Sequence, residues 1–226
     1  SGPTLPDPTT IADACHVIER YALQTKLPAV IAAEFARPEQ IRETPKPGDL
    51  AFARSHFQLL LGMDDLFHHA HQAAQCFGCI TICDNTTDDW PIAEAADYLL
   101  AELERLAKAN PGRRVTLIAD GEVRSPVTGD GMGGRNSAFV LYCVEKIAGK
   151  NIAVLSAGTD GQDGSSPAAG AVADGQTLER AQAQGLSPAD FFRRSDSYNF
   201  FRLLGDAIET GPTGNNLRDL RVLVAL

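Results

Sequence analysis

IAVLSAGTDGQDGSS, residues 152–166, decides how this chain is read. Ile152–Ser156 is a short apolar run closed by glycine turn signals, which predicts a strand. The strand feeds directly into Gly158-Thr159-Asp160-Gly161. In open α/β sheets the ligand crevice lies beyond the carboxyl ends of the strands. Glycines at that place let the backbone approach a ligand and point its amides inward. A helix expected after the loop, over Ala168–Ala183, would add a positively biased N-terminus. Asp160 and Asp163 lie three apart in the loop, a spacing suited to holding a divalent cation or orienting a hydroxyl. The plainer alternative is that the glycines make tight turns and the aspartates cap them.

Two more glycine-rich loops flank this one. GDGMGGRN, residues 129–136, precedes a helix expected over Ala138–Ile147, and TGPTGNN, residues 210–216, precedes a final strand Leu220–Val224. Val115–Ala119 reads as a strand, with Glu122–Val127 as its hairpin partner. Helices are expected at Pro188–Phe192 and Tyr198–Leu204. None of the loops is a GxGxxG after a strand, and none is a Walker A loop. From spacing alone they predict a ligand site on an α/β domain.

Upstream, residues 1–8 read as a turn into a helix over Ile11–Leu23, capped by Asp7 or Thr9. A second helix is expected at Leu27–Phe35, then an irregular, proline-rich stretch over Pro38–Asp49. Phe57–Leu61 reads as a strand, Asp64–Cys76 as a helix, Cys79–Cys83 as a strand, and Ile92–Ala109 as a long helix closed by Asn110-Pro111-Gly112. This order predicts a parallel sheet covered by helices. Texture changes near residue 112, where a domain boundary is expected.

The whole chain has 226 residues, 44% hydrophobic and 22% charged, with a formal net charge of -9. An acidic surface without a basic run argues against nucleic-acid and anionic-membrane partners. No apolar run is long enough to span a bilayer, and the opening SGPTLPDPTT lacks the basic and apolar regions of a signal peptide. The five cysteines are odd in number and fit free thiols in a reducing, cytoplasmic compartment.

The stretches GDGMGGRNSAFVLYCVEKIAG, IAVLSAGTDGQDGSSPAAGAVADGQTL and SYNFFRLLGDAIETGPTGNNLRDLRVLV resemble the carboxy-terminal domain of the glycerate 2-kinases. Some members of that family carry the label hydroxypyruvate reductase. The resemblance is specific over residues 113–226 and weaker over 1–112. It implies an α/β architecture of layered sheet and helices, with 1–112 the remainder of a Rossmann-like first domain and 113–226 a second α/β domain. It also implies transfer of the ATP γ-phosphoryl group to D-glycerate with Mg2+. The family's lysine-bearing GKAA-like segment and SGGxS-like loop, both associated with the nucleotide, find no counterpart in these residues. An amino-terminal half or a homo-oligomer is therefore expected as partner.

Carried over by motif, Glu122 matches the glutamate of an SGGE segment, and Arg135 and Asn136 match GGRN. Thr159, Asp160, Gly161 and Asp163 match GTDGxDG, and Asp196 and Tyr198 match NDSY. Thr210, Gly211, Pro212, Thr213 and Gly214 match the terminal loop, with Asn216 behind it. The catalytic candidates are Asp160, Arg135 and Asp196, and the metal candidates are Asp160 and Asp163. The chain departs from the family where Ala119-Asp120-Gly121 replaces SGG, where Ser137-Ala138 replaces Gln-Glu, where Ser195 replaces Asn, and where GNN replaces GTN.

Smaller signals take plainer readings. His68, His69 and His71 form a solvated helix face rather than a metal site. Cys76-Phe77-Gly78-Cys79 ends a helix, where a redox dithiol would begin one. Trp90 packs at a helix start, and Lys46 is a solvated charge. Two other function classes stand beside the kinase. One is a nicotinamide-dependent hydroxypyruvate reductase, which lacks its GxGxxG fingerprint here. The other is an inactive fragment that binds a small anion or a partner chain through an exposed apolar face on 1–112.

Overall fold

A computed structural model describes residues 4–226, with the Met63 side chain outside the description. The part of the expected opening turn at residues 1–3 lies outside the described residues. The chain divides into two compact units, one running to Leu60 and the other Leu61–Leu226.

In the first unit, α1 spans Ile11–Arg20 and α2 Ala29–Phe35. Thr10 caps α1, displacing the expected Asp7 or Thr9. Its hydroxyl accepts from the Asp13 N–H at 3.2 Å, and the Asp13 carboxylate accepts the Thr10 N–H at 2.8 Å. This reciprocal pair satisfies two otherwise orphaned donors. Residues 43–45 return to α1: Glu43 accepts the Ile11 N–H at 2.9 Å, and Asp7 N–H donates to the Pro45 carbonyl. Among its described residues, none is buried.

The second unit contains α3 (Met63–Cys76), β1 (Ile80–Cys83), α4 (Ile92–Ala109), β2 (Val115–Asp120), α5 (Arg135–Ile147), β3 (Ile152–Gly158), β4 (Gly170–Asp174), α6 (Thr177–Ala183), α7 (Pro188–Arg193), α8 (Ser197–Leu204), β5 (Ala207–Ile208) and β6 (Asp219–Ala225). The strands form one sheet in the order β1-β2-β6-β3-β4-β5. Among the described strands, β1 and β2 run parallel with α4 as the crossover, and the remaining strand pairs are antiparallel. The parallel pairing expected from the upstream order is met by β1 and β2, but the sheet as a whole is mixed, because β6 opposes both β2 and β3, and β4 opposes β3 and β5.

The core follows the periodicities. On α4, Ile92, Ala95, Ala96, Leu99, Leu100, Leu103 and Leu106 are buried at three- and four-residue steps. Each fully buried leucine stabilises by about 1.5–3 kcal/mol. Helix α5 buries Phe139, Val140, Cys143, Val144 and Ile147 against β3 and β4. Strands β3 and β6 alternate buried with half-buried residues, whereas β2 is buried along its whole length, with α3 and α4 both packed on it.

Three sequence expectations fail for tertiary reasons. Glu122–Val127 forms no hairpin, because β1 and β6 already occupy both edges of β2; Arg124 makes only an isolated bridge to Pro91. Ala168–Ala183 is not one helix, since its first part is β4. Ala171 and Ala173 are fully buried there, and their small side chains let α5 lie close over the strand. Local alanine propensity yields to pairing with β3. Phe57–Leu61 pairs with no strand among the described residues, and Phe57, Leu59 and Leu60 stand exposed. The turn near residue 112 joins α4 to β2 within the second unit.

Candidate functional site

The carboxyl ends of β2 and β3 and the start of β6 meet at one edge of the sheet, where Asp120 pairs with Leu220 and Gly158 with Asp219. The three glycine loops gather there. The expected helix after residues 158–166 is absent, because β4 follows. The helix N-terminus that meets this loop is that of α5, brought from elsewhere in the chain.

Gly134 is the N-cap of α5. A Cβ on it would fall 2.4 Å from the carbonyl carbon and Oδ1 of Asp163, so only glycine admits this contact. The Asp163 carboxylate then receives three donors: Asn136 N–H on Oδ1 at 2.9 Å, and Ser137 N–H and Oγ on Oδ2 at 2.8 and 2.5 Å. The position where a helix N-terminus would hold a ligand anion is thus filled by the protein's own carboxylate. Burial raises the Asp163 carboxyl, against the lowering effect of the Ser137 and Asn136 donors. With both oxygens engaged, Asp163 is placed as a helix cap.

Arg135, the first residue of α5, points along the edge. Its Nε and Nη2 donate to Asp219 at 2.5 and 3.2 Å, and its Nη1 lies 3.0 Å from Glu122 Oε2. The Asp219 hydrogen bond, ahead of the opposing effect of burial, raises the guanidinium further above its usual range. Asn136 is buried, its Oδ1 accepting the Ser156 hydroxyl at 2.6 Å. Asp196, also buried, accepts Met132 N–H at 2.9 Å and Asn199 Nδ2 at 2.7 Å, and so anchors the 129–134 loop.

The other two loops are sewn together. Thr159 Oγ donates to the Arg218 carbonyl and accepts Leu217 N–H, both at 2.7 Å. Thr213 N–H donates to the Asp160 carbonyl at 3.0 Å, and Thr213 Oγ donates to the Thr159 carbonyl at 2.6 Å. Gly161, at φ +86°, lets the Gly211 carbonyl come so close that a Cβ would lie 2.1 Å from it. Thr210 Oγ turns back on the Gly211 carbonyl, and Asn216 Oδ1 accepts Arg218 N–H at 3.1 Å. Gly214 lies exposed in the same loop.

A cavity of about 850 Å³ opens at this edge. Arg135, Asn136, Asp160 and Asp163 line it, so the structure brings four sequence-chosen residues together. Glu122, Thr159, Gly161, Asp196, Thr210, Gly211, Thr213, Gly214 and Asn216 are not in its wall. Sequence reading missed the outer wall, Val123–Thr128 with Ile92 and Phe192, and missed Ser195 and Ser197. It also missed Asp219 and Arg221. Both face inward on alternate positions of β6 and are 2% and 0% exposed. Charges at the buried phase of an alternating strand were the available signal. Arg221 Nη2 donates to the carbonyls of Asp120 and Gly121 at 2.8 and 2.6 Å, while its Nε and Nη1 make no hydrogen bond. Burial lowers this arginine to about 10.

The lesser candidates are structural. Trp90 packs on Tyr98 with ring centroids 5.5 Å apart, and Lys46 pairs with Glu43 at 2.9 Å. His71 Nδ1 lies 3.7 Å from Cys83 Sγ, and all five cysteines are free. Among the described residues, no three His, Cys, Asp or Glu side chains gather to hold a metal, and no helix is long and apolar enough to cross a membrane. Mg2+ is commonly held by one or two carboxylates together with substrate phosphates. Asp160, half-buried on the cavity wall with Oδ1 accepting Gln162 N–H at 3.0 Å, fits that role.

A mixed sheet flanked by helices, with glycine loops and a cavity at the carboxyl ends of β2 and β3, defines an α/β domain. The MOFRL family model matches residues 115–219. The D-glycerate 2-kinase of Thermotoga maritima is 31% identical over 97% of this chain and 51% of its own length. The glycerate kinase of Macaca fascicularis is 30% identical over 99% of this chain and 67% of its own. A crystal structure of the Thermotoga maritima glycerate kinase superposes with a TM-score of 0.77 at 29% identity, covering 98% of this chain and 51% of that one. The chain belongs to the MOFRL/glycerate-kinase family. It spans about half the length of the first curated relatives it matches.

Proposed function

We propose that this chain takes part in ATP-dependent phosphorylation of D-glycerate to 2-phosphoglycerate, with a region beyond these 226 residues completing the nucleotide site. The observation that carries the reading is the placement of Arg135 and Asp160 on the wall of one cavity of about 850 Å³. Such a volume falls within the range of small-molecule sites. It exceeds what a three-carbon acid needs and leaves room for a polyphosphate.

The Arg135 guanidinium pairs with the acceptor carboxylate or a phosphate through Nη1, its Nε and Nη2 being held by Asp219. Asp160 accepts the acceptor hydroxyl's hydrogen bond and aligns its oxygen. As that oxygen forms the new P–O bond, the bond from the γ-phosphorus to the ADP oxygen breaks and the hydroxyl proton passes to the Asp160 carboxylate. Asp160 would be the protein ligand of Mg2+, which would supply neutralisation of charge on the transferring group. Asp163 and Asp196 act by holding α5 and the 129–134 loop in place. Free cysteines suit a reducing, cytoplasmic setting. For domain organisation we keep 113–226 as the glycerate-kinase-type domain and 1–112 as the remainder of a first domain.

The test is Mg2+-dependent phosphorylation of D-glycerate by the 226-residue chain and by a longer gene product, with the product's position read by phosphorus NMR. Arg135→Ala and Asp160→Asn abolish transfer on this reading. Near-normal turnover in both variants overturns the assigned roles.

A second reading has its own support. Residues 4–60 have no buried residue, while Val17, Tyr21, Val30, Ile31 and Leu50 are exposed. A unit without a core fits a partner surface. Light scattering on the purified chain tests it, a monomer at all concentrations arguing against self-association.

A further inference from the structure

We infer that Asp219 is the positioning residue that makes Arg135 an anion-binding group, and that Glu122 is the counter-ion an incoming carboxylate or phosphate displaces. This rests on the reading above that Arg135 meets the anionic ligand.

The two carboxylates on Arg135 are unequal. The Asp219 side chain is 3% exposed and takes two guanidinium nitrogens, Nε and Nη2. Its backbone is the first residue of the central strand β6 and sits opposite Gly158 in the ladder. A carboxylate in that place is fixed by the sheet itself. Glu122 is 46% exposed and touches one nitrogen, Nη1, at 3.0 Å. It stands in the turn after Gly121, where Asp88 Oδ1 accepts its N–H at 2.9 Å; the backbone is anchored and the side chain is left in solvent.

A bidentate, dry pair holds the guanidinium plane in one orientation. A single wet contact is exchanged at little cost. Asp219 therefore fixes the inner edge of Arg135 and aims Nη1 outward, and Glu122 occupies that outward nitrogen. Arg221 lies within electrostatic reach of Asp219, and Arg218 of Glu122, so the local charges are not Arg135 against two carboxylates alone. At Nη1 itself, however, an incoming anion meets the Glu122 carboxylate directly, so exchange of Glu122 for the ligand is the step that removes this like-charge contact. Asp160, on the wall of the same cavity, makes that exchange more necessary.

The two carboxylates consequently have opposite effects. Glu122→Gln tightens binding of inorganic phosphate and of D-glycerate by about two- to fivefold, because the resident competitor is gone. Asp219→Asn weakens both by at least about tenfold, because the guanidinium loses its fixed orientation. Calorimetric titration of the 226-residue chain reads these changes, and the Arg135 Nε–H resonance in nitrogen-15 NMR reads the orientation without any ligand. That resonance is protected from exchange in the wild type and in Glu122→Gln, lost in Asp219→Asn, and recovered in part in Asp219→Glu. In an Arg135→Ala background, Asp219→Asn adds no further loss of binding.

Weaker binding in Glu122→Gln overturns the displacement, and an equal loss from Asp219→Asn with and without Arg135 overturns the positioning role. If Asp219→Asn does not fold, the direction of the Glu122→Gln effect and the wild-type Nε–H protection still decide. If the wild type binds neither anion, the assignment of Arg135 to the ligand fails, while the resonance pattern judges Asp219 by itself. Binding of phosphate without D-glycerate keeps the inference and removes glycerate as the acceptor.

Discussion

The Ser137 hydroxyl donates to Asp163 at 2.5 Å across 26 residues of sequence, and the same carboxylate takes the backbone N–H groups of Asn136 and Ser137. Ser137 stands where the family resemblance places a glutamine, and here it completes a cap supplied by a distant loop. Asp163→Ala leaves two amides and a hydroxyl without their acceptor at the start of α5. A stability loss of about 1–3 kcal/mol is expected, with a smaller loss in Asp163→Asn, as read by urea denaturation. Equal stability of the alanine variant and the wild type would contradict the capping role.

Gly161→Ala should open the seam between the 158–166 and 210–216 loops. The added methyl group meets the Gly211 carbonyl, and the backbone sits at φ +86°. A cost of about 1–3 kcal/mol follows from the strained conformation alone. Faster proteolytic cleavage within residues 210–216 is the expected signature, and an unchanged cleavage rate would show that the loops are not coupled.

Acid should loosen the turn that carries Glu122. Burial pushes the Asp88 carboxyl upward, but the Glu122 N–H and the Arg218 guanidinium outweigh it and hold the group below its ordinary value of 3.8. A depressed carboxyl contributes stability above its unfolded value and loses it as pH falls through the folded one. Comparing urea midpoints at about pH 6 and about pH 3, Asp88→Asn should show a smaller acid-induced drop than the wild type. Parallel profiles would mean that Asp88 is not a source of acid sensitivity.

Thiol chemistry should separate the cysteines. Cys76 and Cys83 are exposed, whereas Cys143 is fully buried on α5, where burial pushes its thiol far above the usual range. Iodoacetamide under native conditions is expected to modify the first two and spare Cys143 until denaturant is added. Peptide mapping by mass spectrometry reads the outcome, and early labelling of Cys143 would show that the α5 core opens readily.

The sequence foretold what local patterning governs. The long helix over Ile92–Ala109 was legible because its apolar residues keep one phase for five turns before Pro111 stops it. The edge loops were legible because glycine density marks close backbone approach. What escaped was set by neighbours distant in sequence. Ala171 and Ala173 read as helical alone and become strand only against Leu155 and Ser156. Arg135, Asn136 and Asp160 are legible from their motifs, and all three line the cavity. Asp163 is legible with them, but its oxygens face the α5 amides, a relation that loop spacing does not reveal. Asp219 lies in no glycine loop; its one sequence signal is a charge at the buried phase of β6, and its partner Arg135 lies 84 positions away.

The central place of β6 bears on how the molecule is made. A ribosome delivers residues 219–225 after every other strand of the sheet. In the finished sheet β6 joins β1 with β2 to β3 with β4 and β5, so the edges of β2 and β3 that flank it have no partner until it is made. Unpaired edges of this kind recruit foreign strands. The nascent chain therefore carries two open seams from the completion of β3 at Gly158 until β6 begins at Asp219, and a chaperone that shields extended backbone would serve it best in that interval.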